Sequence, residues 1–264
     1  MSVWQAIVLG LIQGLTEFLP VSSSGHLELG KAVFGLENLD LTFSILVHGA
    51  TALSTLVVFW RDIVDLTWGA LMKRNWTSRK YILMIVLSMI PAGLVAFTLR
   101  HDLEEAFLGK PERVGLMLIV TGLILFASQR FPNKNLPLNI PKAIGIGMAQ
   151  AFAILPGISR SGSTIGTAIA LGITRKEAAR FSFLMALPVI LGATVLEVKD
   201  LLEAPAAEAG LNTELLIPYL AGSLAAFISG VLACQWMIRL VQKTSLNGFA
   251  VYCIGVGGLA FLFL

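Results

Sequence analysis

Long apolar runs divide this chain and restrict it to one class of fold. They lie at about 41–60, 81–99, 114–129, 181–196, 215–238 and 247–264. Each run is long enough, or nearly so, to cross about 30 Å of hydrocarbon as an α-helix. A backbone inside a bilayer must satisfy its own hydrogen bonds, which a helix does within each segment. The sequence therefore predicts an all-α integral membrane protein with about six transmembrane helices.

The composition agrees with this class. Of the 264 residues, 56% are hydrophobic and 13% are charged, whereas a soluble domain has about 25% charged residues. Cys234 and Cys253 stand alone in apolar runs, which indicates packing residues rather than a disulfide framework or a Cys-based metal site. We expect a membrane lipid environment and no nucleic-acid partner.

Two shorter apolar stretches, at 3–19 and 143–155, lead directly into similar polar motifs. The first motif, residues 13–26, is Gln-Gly-Leu-Thr-Glu-Phe-Leu-Pro-Val-Ser-Ser-Ser-Gly-His. The second, residues 150–164, is Gln-Ala-Phe-Ala-Ile-Leu-Pro-Gly-Ile-Ser-Arg-Ser-Gly-Ser-Thr. We predict that each stretch and its motif form a re-entrant helix-loop-helix segment, which enters the bilayer and turns back.

The charge of the loops alternates along the chain. Loops 61–80, 130–142, 173–180 and 239–246 are net positive, and loops 28–40, 100–113 and 197–214 are net negative. The positive-inside rule places the positive loops in the cytoplasm. The N- and C-termini are then predicted to lie outside, with the first motif entering from outside and the second from the cytoplasm. We therefore expect the active site to open outward.

The two motifs belong to a wider internal repeat. Ser22–Gly25 corresponds to Ser159–Gly162, Phe43–Ser44 to Phe181–Ser182, and Tyr81 to Tyr219, at a nearly constant spacing. Each half holds one re-entrant segment and an odd number of spans, so the second half must be inverted relative to the first. The sequence thus predicts one membrane domain, 1–264, with repeat 1 at about 1–130 and repeat 2 at about 138–264. Chance similarity between apolar helices is the alternative.

Two ionisable residues, Glu17 and Arg160, lie inside segments that otherwise suit lipid. An ionisable group at membrane depth is costly and marks a functional site by default. Broken helices of inverted repeats meet near the bilayer midplane. The two motif tips would then bring Glu17 and Arg160 together with Ser23 and His26. A purely structural membrane protein does not account for the two charges.

The spacing within the motifs is typical of an anion-binding site. Gln13 and Glu17 share one helix face, and Pro20 should end that helix. The serines that follow suit the N-terminus of a second helix, whose free N–H groups bind anions. Arg160 can donate two parallel hydrogen bonds to phosphate oxygens through its guanidinium group. Ser23 and His26 are close enough for a nucleophile and its acid or base if the turn is helical.

Other polar groups have simpler explanations. Serines in membrane helices often only bond neighbouring helices, and His48 is expected to be a satisfied residue of the helix bundle. No clustered His, Cys or carboxylate spacing suggests a metal site built by the protein alone. A divalent cation, Mg²⁺ or Ca²⁺, would be shared between Glu17 and substrate phosphates. We expect no organic cofactor.

At these motifs the chain resembles the bacterial undecaprenyl-diphosphate phosphatases, the bacitracin-resistance proteins. The resemblance covers both motifs and the hydrophobic layout of essentially the whole chain. It implies a phosphatase of the bacterial inner (plasma) membrane that hydrolyses undecaprenyl diphosphate to undecaprenyl phosphate plus inorganic phosphate. That reaction recycles the lipid carrier of peptidoglycan synthesis and confers resistance to bacitracin.

The resemblance also implies roles for individual residues. Ser23 would be the nucleophile or hold the scissile phosphate, and His26 would be the acid/base or the competing nucleophile. Glu17 would act through a metal ion or polarise the nucleophile or water, and Arg160 would neutralise the diphosphate. The implied phosphate-binding set is Gln13, Ser22, Ser24, Gly25, Ser159, Ser161, Gly162 and Thr164. Family members can have Glu at the position of Gln13, so Glu17 is the only carboxylate in this site.

A different class of function uses the same scaffold. Inverted repeats are common in transporters, so a transporter or flippase of an anionic lipid or small anion is the alternative. His26 beside the serines favours the enzyme, because anion binding needs the arginine and backbone amides but no acid/base. The oligomeric state is open, with a homodimer among the alternatives.

Overall fold

The computed structural model describes residues 1–36, 41–107, 109–131, 134–203 and 213–264. These residues form the helices α1 Val3–Phe18, α2 Ser23–Phe34, α3 Leu41–Val58, α4 Trp60–Leu71, α5 Trp76–Phe107, α6 Pro111–Ser128, α7 Ile140–Phe152, α8 Arg160–Ala170, α9 Arg175–Glu203, α10 Thr213–Lys243 and α11 Asn247–Phe263. All six predicted apolar runs are helical, and the prediction of an all-α integral membrane protein is confirmed.

The helices that can cross a membrane are fewer than the predicted spans. By length and composition, four described segments qualify: Trp76–Leu99, Pro111–Ser128, Arg175–Leu196 and Leu215–Lys243. The pair α3–α4 is a fifth candidate, bent by 67° at its break. The last run forms α11, which is apolar but only 17 residues long. The protein is therefore a multi-pass membrane protein.

The prediction of a loop over 61–80 was wrong for most of its length, since α4 runs to Leu71 and α5 begins at Trp76. Its charges suggested a loop, but α4 is amphipathic. Ile63 and Leu66 pack against the main apolar core, while Asp62 accepts a hydrogen bond from Nε of Arg180 in α9 at 2.7 Å. Charged residues on one helix face therefore do not mark a loop here.

The two motif segments form the helix pairs α1–α2 and α7–α8, and both pairs turn back. Leu136, ahead of α7, donates its backbone N–H to the carbonyl of Gly172, just after α8, at 2.8 Å. Met1 and Leu36, at the two ends of the first pair, pack against the same apolar cluster. Each pair thus returns towards the region from which it began, as expected for a re-entrant segment.

Helices of one half of the chain pack against helices of the other half. Helix α1 packs along α10, and α7 packs along α5. If α1 corresponds to α7 and α5 to α10, these two contacts are copies of each other. Helices α6 and α11, which correspond in the same way, pack against one another. Two halves related by a two-fold axis produce this pattern, while the predicted repeat boundaries stay a prediction.

Glycines allow the closest of these crossings. A Cβ atom on Gly10 of α1 would collide with the backbone of Gly222 in α10, and one on Gly115 of α6 would lie 2.7 Å from the carbonyl oxygen of Gly257 in α11. Small residues at such crossings let backbones approach closely in membranes, where van der Waals packing drives association. Helix α1 is consequently held tightly against α10, which fixes the position of the first motif.

Candidate active site

The tips of the two motifs meet around one cavity of about 40 Å³. Its lining residues are Thr16, Glu17, Ser22, Ser23, Ser24, Ile158, Ser159, Arg160 and Ser161. Apart from Thr16 and Ile158, each belongs to the site predicted from the sequence. The fold therefore joins segments that are more than half the chain apart, and the cavity lies between the re-entrant pairs.

An ion pair joins Glu17 and Arg160, the acidic and the basic residue of the motifs. Nη2 of Arg160 donates to Oε1 of Glu17 at 2.5 Å. Glu17 is 8% exposed, so its side chain is buried inside the protein. A buried charge without a partner is strongly destabilising, and the pairing explains how both groups occupy an apolar region.

The second oxygen of Glu17 holds two further groups of the first motif. Ser23 donates its hydroxyl to Oε2 of Glu17 at 2.6 Å, and Gln13 donates Nε2 to the same oxygen at 3.1 Å. Hydrogen bonds to an ionised acceptor are shorter and stronger than neutral ones. Glu17 therefore orients the Ser23 hydroxyl and is placed to accept its proton.

Two helix N-termini face the cavity, and each has a serine cap. Ser22 accepts a hydrogen bond from the backbone N–H of Gly25 at 3.3 Å at the start of α2. Ser159 accepts one from Gly162 at 3.0 Å at the start of α8. The remaining N–H groups and the positive dipole ends of both helices form an anion-binding environment.

Ser22 has a backbone conformation that few residues other than glycine adopt, with φ of 69°. Such a conformation costs of the order of 1–3 kcal/mol and persists where the surroundings enforce it. Here it turns the Ser22 carbonyl towards His26, whose backbone N–H and ring Nδ1 lie 3.1 and 2.8 Å from that oxygen. The strained residue thus places the His26 ring.

His26 does not line the cavity. Its Nδ1 is bonded to the Ser22 carbonyl, and its Nε2 lies 2.9 Å from the hydroxyl of Tyr252 in α11. The imidazole and phenol rings are nearly parallel, with centroids 5.5 Å apart. The helical turn that would bring Ser23 and His26 together is present, but Ser23 bonds Glu17 and His26 bonds Tyr252.

The sequence of the whole chain matches a known family. The family model described as "Bacitracin resistance protein BacA" matches residues 6–259. The chain belongs to this family. It is 45% identical to an undecaprenyl-diphosphatase of Christiangramia forsetii, with 100% of this chain and 98% of the relative covered. It is also 45% identical to that of Bacteroides fragilis, over 96% and 95% of the two chains, and 40% identical to that of Salinibacter ruber, over 98% of each. The resemblance carried by the two motifs is confirmed.

Hydroxyl groups of the second motif form hydrogen bonds that fix its position in this BacA-family chain. Thr164 donates to the carbonyl of Arg160 at 2.8 Å and lies 2.5 Å from the hydroxyl of Ser182. Ser161 donates to the carbonyl of Leu19 in the first motif at 2.9 Å. These two predicted phosphate-binding residues use their side chains to hold Arg160 and join the tips.

Besides Thr16 and Ile158, residues outside the motifs that contact the site were not predicted, among them Thr121 and Tyr252. Thr121 in α6 accepts a hydrogen bond from the N–H of Ser159 at 2.9 Å and donates one to the carbonyl of Gly157 at 2.9 Å. Tyr252 is the partner of His26. Both are polar residues inside apolar runs, and that is the signal that could have drawn attention to them.

Of the polar side-chain atoms in the motifs that are buried without a hydrogen-bond partner, two belong to residues that bond Glu17, namely Nη1 of Arg160 and Oε1 of Gln13. An unsatisfied buried polar group costs about 1–3 kcal/mol, so both atoms are suited to a ligand that supplies the missing bond. Arg160 offers a donor for a phosphate oxygen. Gln13 offers an oxygen which, with the Glu17 carboxylate, suits a hard divalent cation.

Proposed function

We propose that this protein is an undecaprenyl-diphosphate phosphatase, which hydrolyses the diphosphate to undecaprenyl phosphate and inorganic phosphate. One observation carries the proposal: Glu17 holds the Ser23 hydroxyl and the Arg160 guanidinium group at the meeting point of two helix N-termini. The reaction recycles the lipid carrier of peptidoglycan synthesis and confers bacitracin resistance, the property in the family's name.

Substrate binding uses the positive groups of the cavity. The free Nη1 of Arg160 donates to a phosphate oxygen, and the N-termini of α2 and α8 supply backbone N–H groups from two sides. A diphosphate carries several negative charges, which fixed donors of this kind stabilise in a site shielded from water. The hydrocarbon tail stays in the lipid, so the headgroup enters from the side of the bundle.

Phosphoryl transfer follows from the contacts of Ser23. Its oxygen attacks the terminal phosphorus while Glu17 takes the proton, and the bond to the bridging oxygen breaks. Undecaprenyl phosphate leaves, with its new charge neutralised by Arg160. Water then attacks the phosphoserine, releases inorganic phosphate and restores the Ser23 hydroxyl. His26 is the proposed acid/base for the attacking water, and nucleophilic attack by His26 itself is the competing route.

A divalent cation fits the donor set of this site. Gln13 and Glu17 would hold Mg²⁺ or Ca²⁺ together with phosphate oxygens of the substrate. Such an ion neutralises charge on the phosphates when bound. The protein would supply the Glu17 carboxylate and the Gln13 amide oxygen to the ion, and the substrate phosphates would supply the other ligands.

The first test of the proposal is phosphate release from undecaprenyl diphosphate by the purified protein in detergent, with and without Mg²⁺. We expect Ser23→Ala to lower kcat by at least about a hundredfold, because the attacking oxygen is lost. Ser88→Ala is the matched control, since the Ser88 hydroxyl donates to Ile85 within α5 at 2.7 Å. A folded Ser23→Ala protein with near-normal turnover would exclude Ser23 as nucleophile.

We further propose that both termini lie outside, with the 17-residue α11 as the last crossing, and that the cavity opens outward in the bacterial inner membrane. The alternating loop charges support this orientation. The variant Lys31→Cys, with its new thiol near the end of α2, is expected to react with a membrane-impermeant thiol reagent in intact cells. Labelling that occurs only in lysed cells would show that the orientation is the opposite of the one proposed. The homodimer stays a prediction, and nothing in the described site favours the transporter alternative.

A further inference from the structure

The His26 side chain is bonded at both ring nitrogens, and the partners determine its tautomer. The Ser22 carbonyl oxygen can only accept, so Nδ1, 2.8 Å away, carries the proton. In the neutral ring Nε2 is then the acceptor, and the Tyr252 hydroxyl donates to it at 2.9 Å. In the neutral imidazole, the basic nitrogen is therefore Nε2, and it is directed at a tyrosine of the last helix.

Tyr252 has no other evident reason to be polar at its position. It lies in α11, an apolar helix, and is 46% exposed on the outer side of the bundle. Its neighbour Val251 is exposed as well. A hydroxyl facing lipid lacks a hydrogen-bond partner unless the protein supplies one. His26 is that partner, so the polar group of Tyr252 is explained by its hydrogen bond to the first motif.

A second contact fixes α11 against the same motif. Cys253 donates its thiol to the carbonyl of Pro20, between α1 and α2, at 3.7 Å. Helix α11 also packs along α6, whose Val114 side chain would lie 3.4 Å from a Cβ on Gly25. The last helix is therefore a rigid support for the segment that contains Ser23 and His26, and the Tyr252 hydroxyl is held in place relative to the imidazole.

We propose that Tyr252 is a positioning residue for His26. Its hydroxyl donates to Nε2 of the neutral ring and fixes the orientation of the imidazole. When Nε2 takes up a proton, the same hydroxyl oxygen can accept the new N–H, because a hydroxyl both donates and accepts. One side chain therefore orients the ring in both of its protonation states. The consequence for turnover rests on the proposed phosphatase function, whereas the effect on the tautomer does not.

The tautomer can be tested without substrate. The chain has three histidines, so selective ¹⁵N labelling and His26→Gln identify the His26 signals. We expect one protonated and one hydrogen-bonded unprotonated nitrogen. In Tyr252→Phe, which keeps the ring, the Nε2 resonance should move to that of a free unprotonated nitrogen, while His48 stays unchanged. Identical His26 signals in the two proteins would overturn the proposal.

Turnover supplies the second measurement. We expect Tyr252→Phe to lower kcat roughly fivefold with KM nearly unchanged, as the loss of one neutral hydrogen bond implies. Tyr81→Phe is the matched control, since Tyr81 packs against Phe181 and Arg180. Unchanged kcat, or a change confined to KM, would overturn the positioning role. An inactive wild-type protein would instead contradict the proposed function and leave the ¹⁵N result as the independent test of the Tyr252–His26 bond.

Discussion

Arg160→Ala is expected to lower phosphate release by at least about a thousandfold, because an arginine that neutralises a transferring phosphoryl group contributes roughly 10³–10⁵ to kcat. The substitution removes the free Nη1 donor at the cavity and the ion pair to Glu17. Arg160→Lys keeps the charge but loses the planar fork, so we expect intermediate activity. Phosphate release by detergent-purified variants measures both effects.

The loss of Arg160 also affects stability, and the controls must separate the two effects. Arg160→Ala leaves the Glu17 carboxylate buried without its partner, a change that costs about 3–5 kcal/mol. Thermal unfolding in detergent reports this cost, and Arg160→Lys is less affected by it. Arg113→Ala is the matched control, since Arg113 lies at the exposed start of α6 and donates to the carbonyl of Ala106. Near-normal turnover by folded Arg160→Ala would remove Arg160 from the mechanism.

Glu17→Gln is the second large effect and is expected to lower kcat by about 10²–10⁴, the usual contribution of a general base. The amide is uncharged and cannot take the proton of Ser23, whose hydroxyl now donates to Oε2 of Glu17 at 2.6 Å. Any stimulation by Mg²⁺ should fall as well, because Glu17 is the one carboxylate among the described residues that line the cavity. The measurement is phosphate release across a Mg²⁺ titration.

A second glutamate provides the comparison for this variant. Glu28 lies on α2 and pairs with Lys31 at 2.9 Å, outside the cavity lining. Glu28→Gln removes one negative charge from the same helix pair and is expected to retain wild-type turnover. If Glu17→Gln and Glu28→Gln lower kcat equally, the effect of Glu17 is general electrostatics and not proton transfer from Ser23.

Local sequence patterns predicted much of the helical fold because bilayer helices depend on local properties. Apolar runs, Pro20 and the serine caps each act within one or two turns of helix. Helix α1 ends before Pro20 and α2 begins after Ser22, as these signals indicate. Helix α4 was missed for the same reason. Its Asp62 is paired with Arg180 of α9, a residue that no local pattern connects with it.

The site was predicted to the extent that its residues lie in the two motifs. Glu17 and Arg160 stood out because an ionisable group in an apolar segment is costly. Thr121 and Tyr252 did not, since a single hydroxyl in an apolar run is common. Their roles depend on contacts with Ser159 and His26, which are far away along the chain.

The sequence by itself determined that the chain is a helical membrane protein, that its two motifs are related, and that its charged groups belong in one site. Those conclusions need only segment lengths, residue types and the cost of burying charge. Only the tertiary structure decided the partners: Ser23 with Glu17, and His26 with Tyr252 rather than with Ser23. A hydrogen bond between distant segments is lost when the donor–acceptor distance changes by a few tenths of an ångström. Helix packing sets those distances, and no local sequence pattern does.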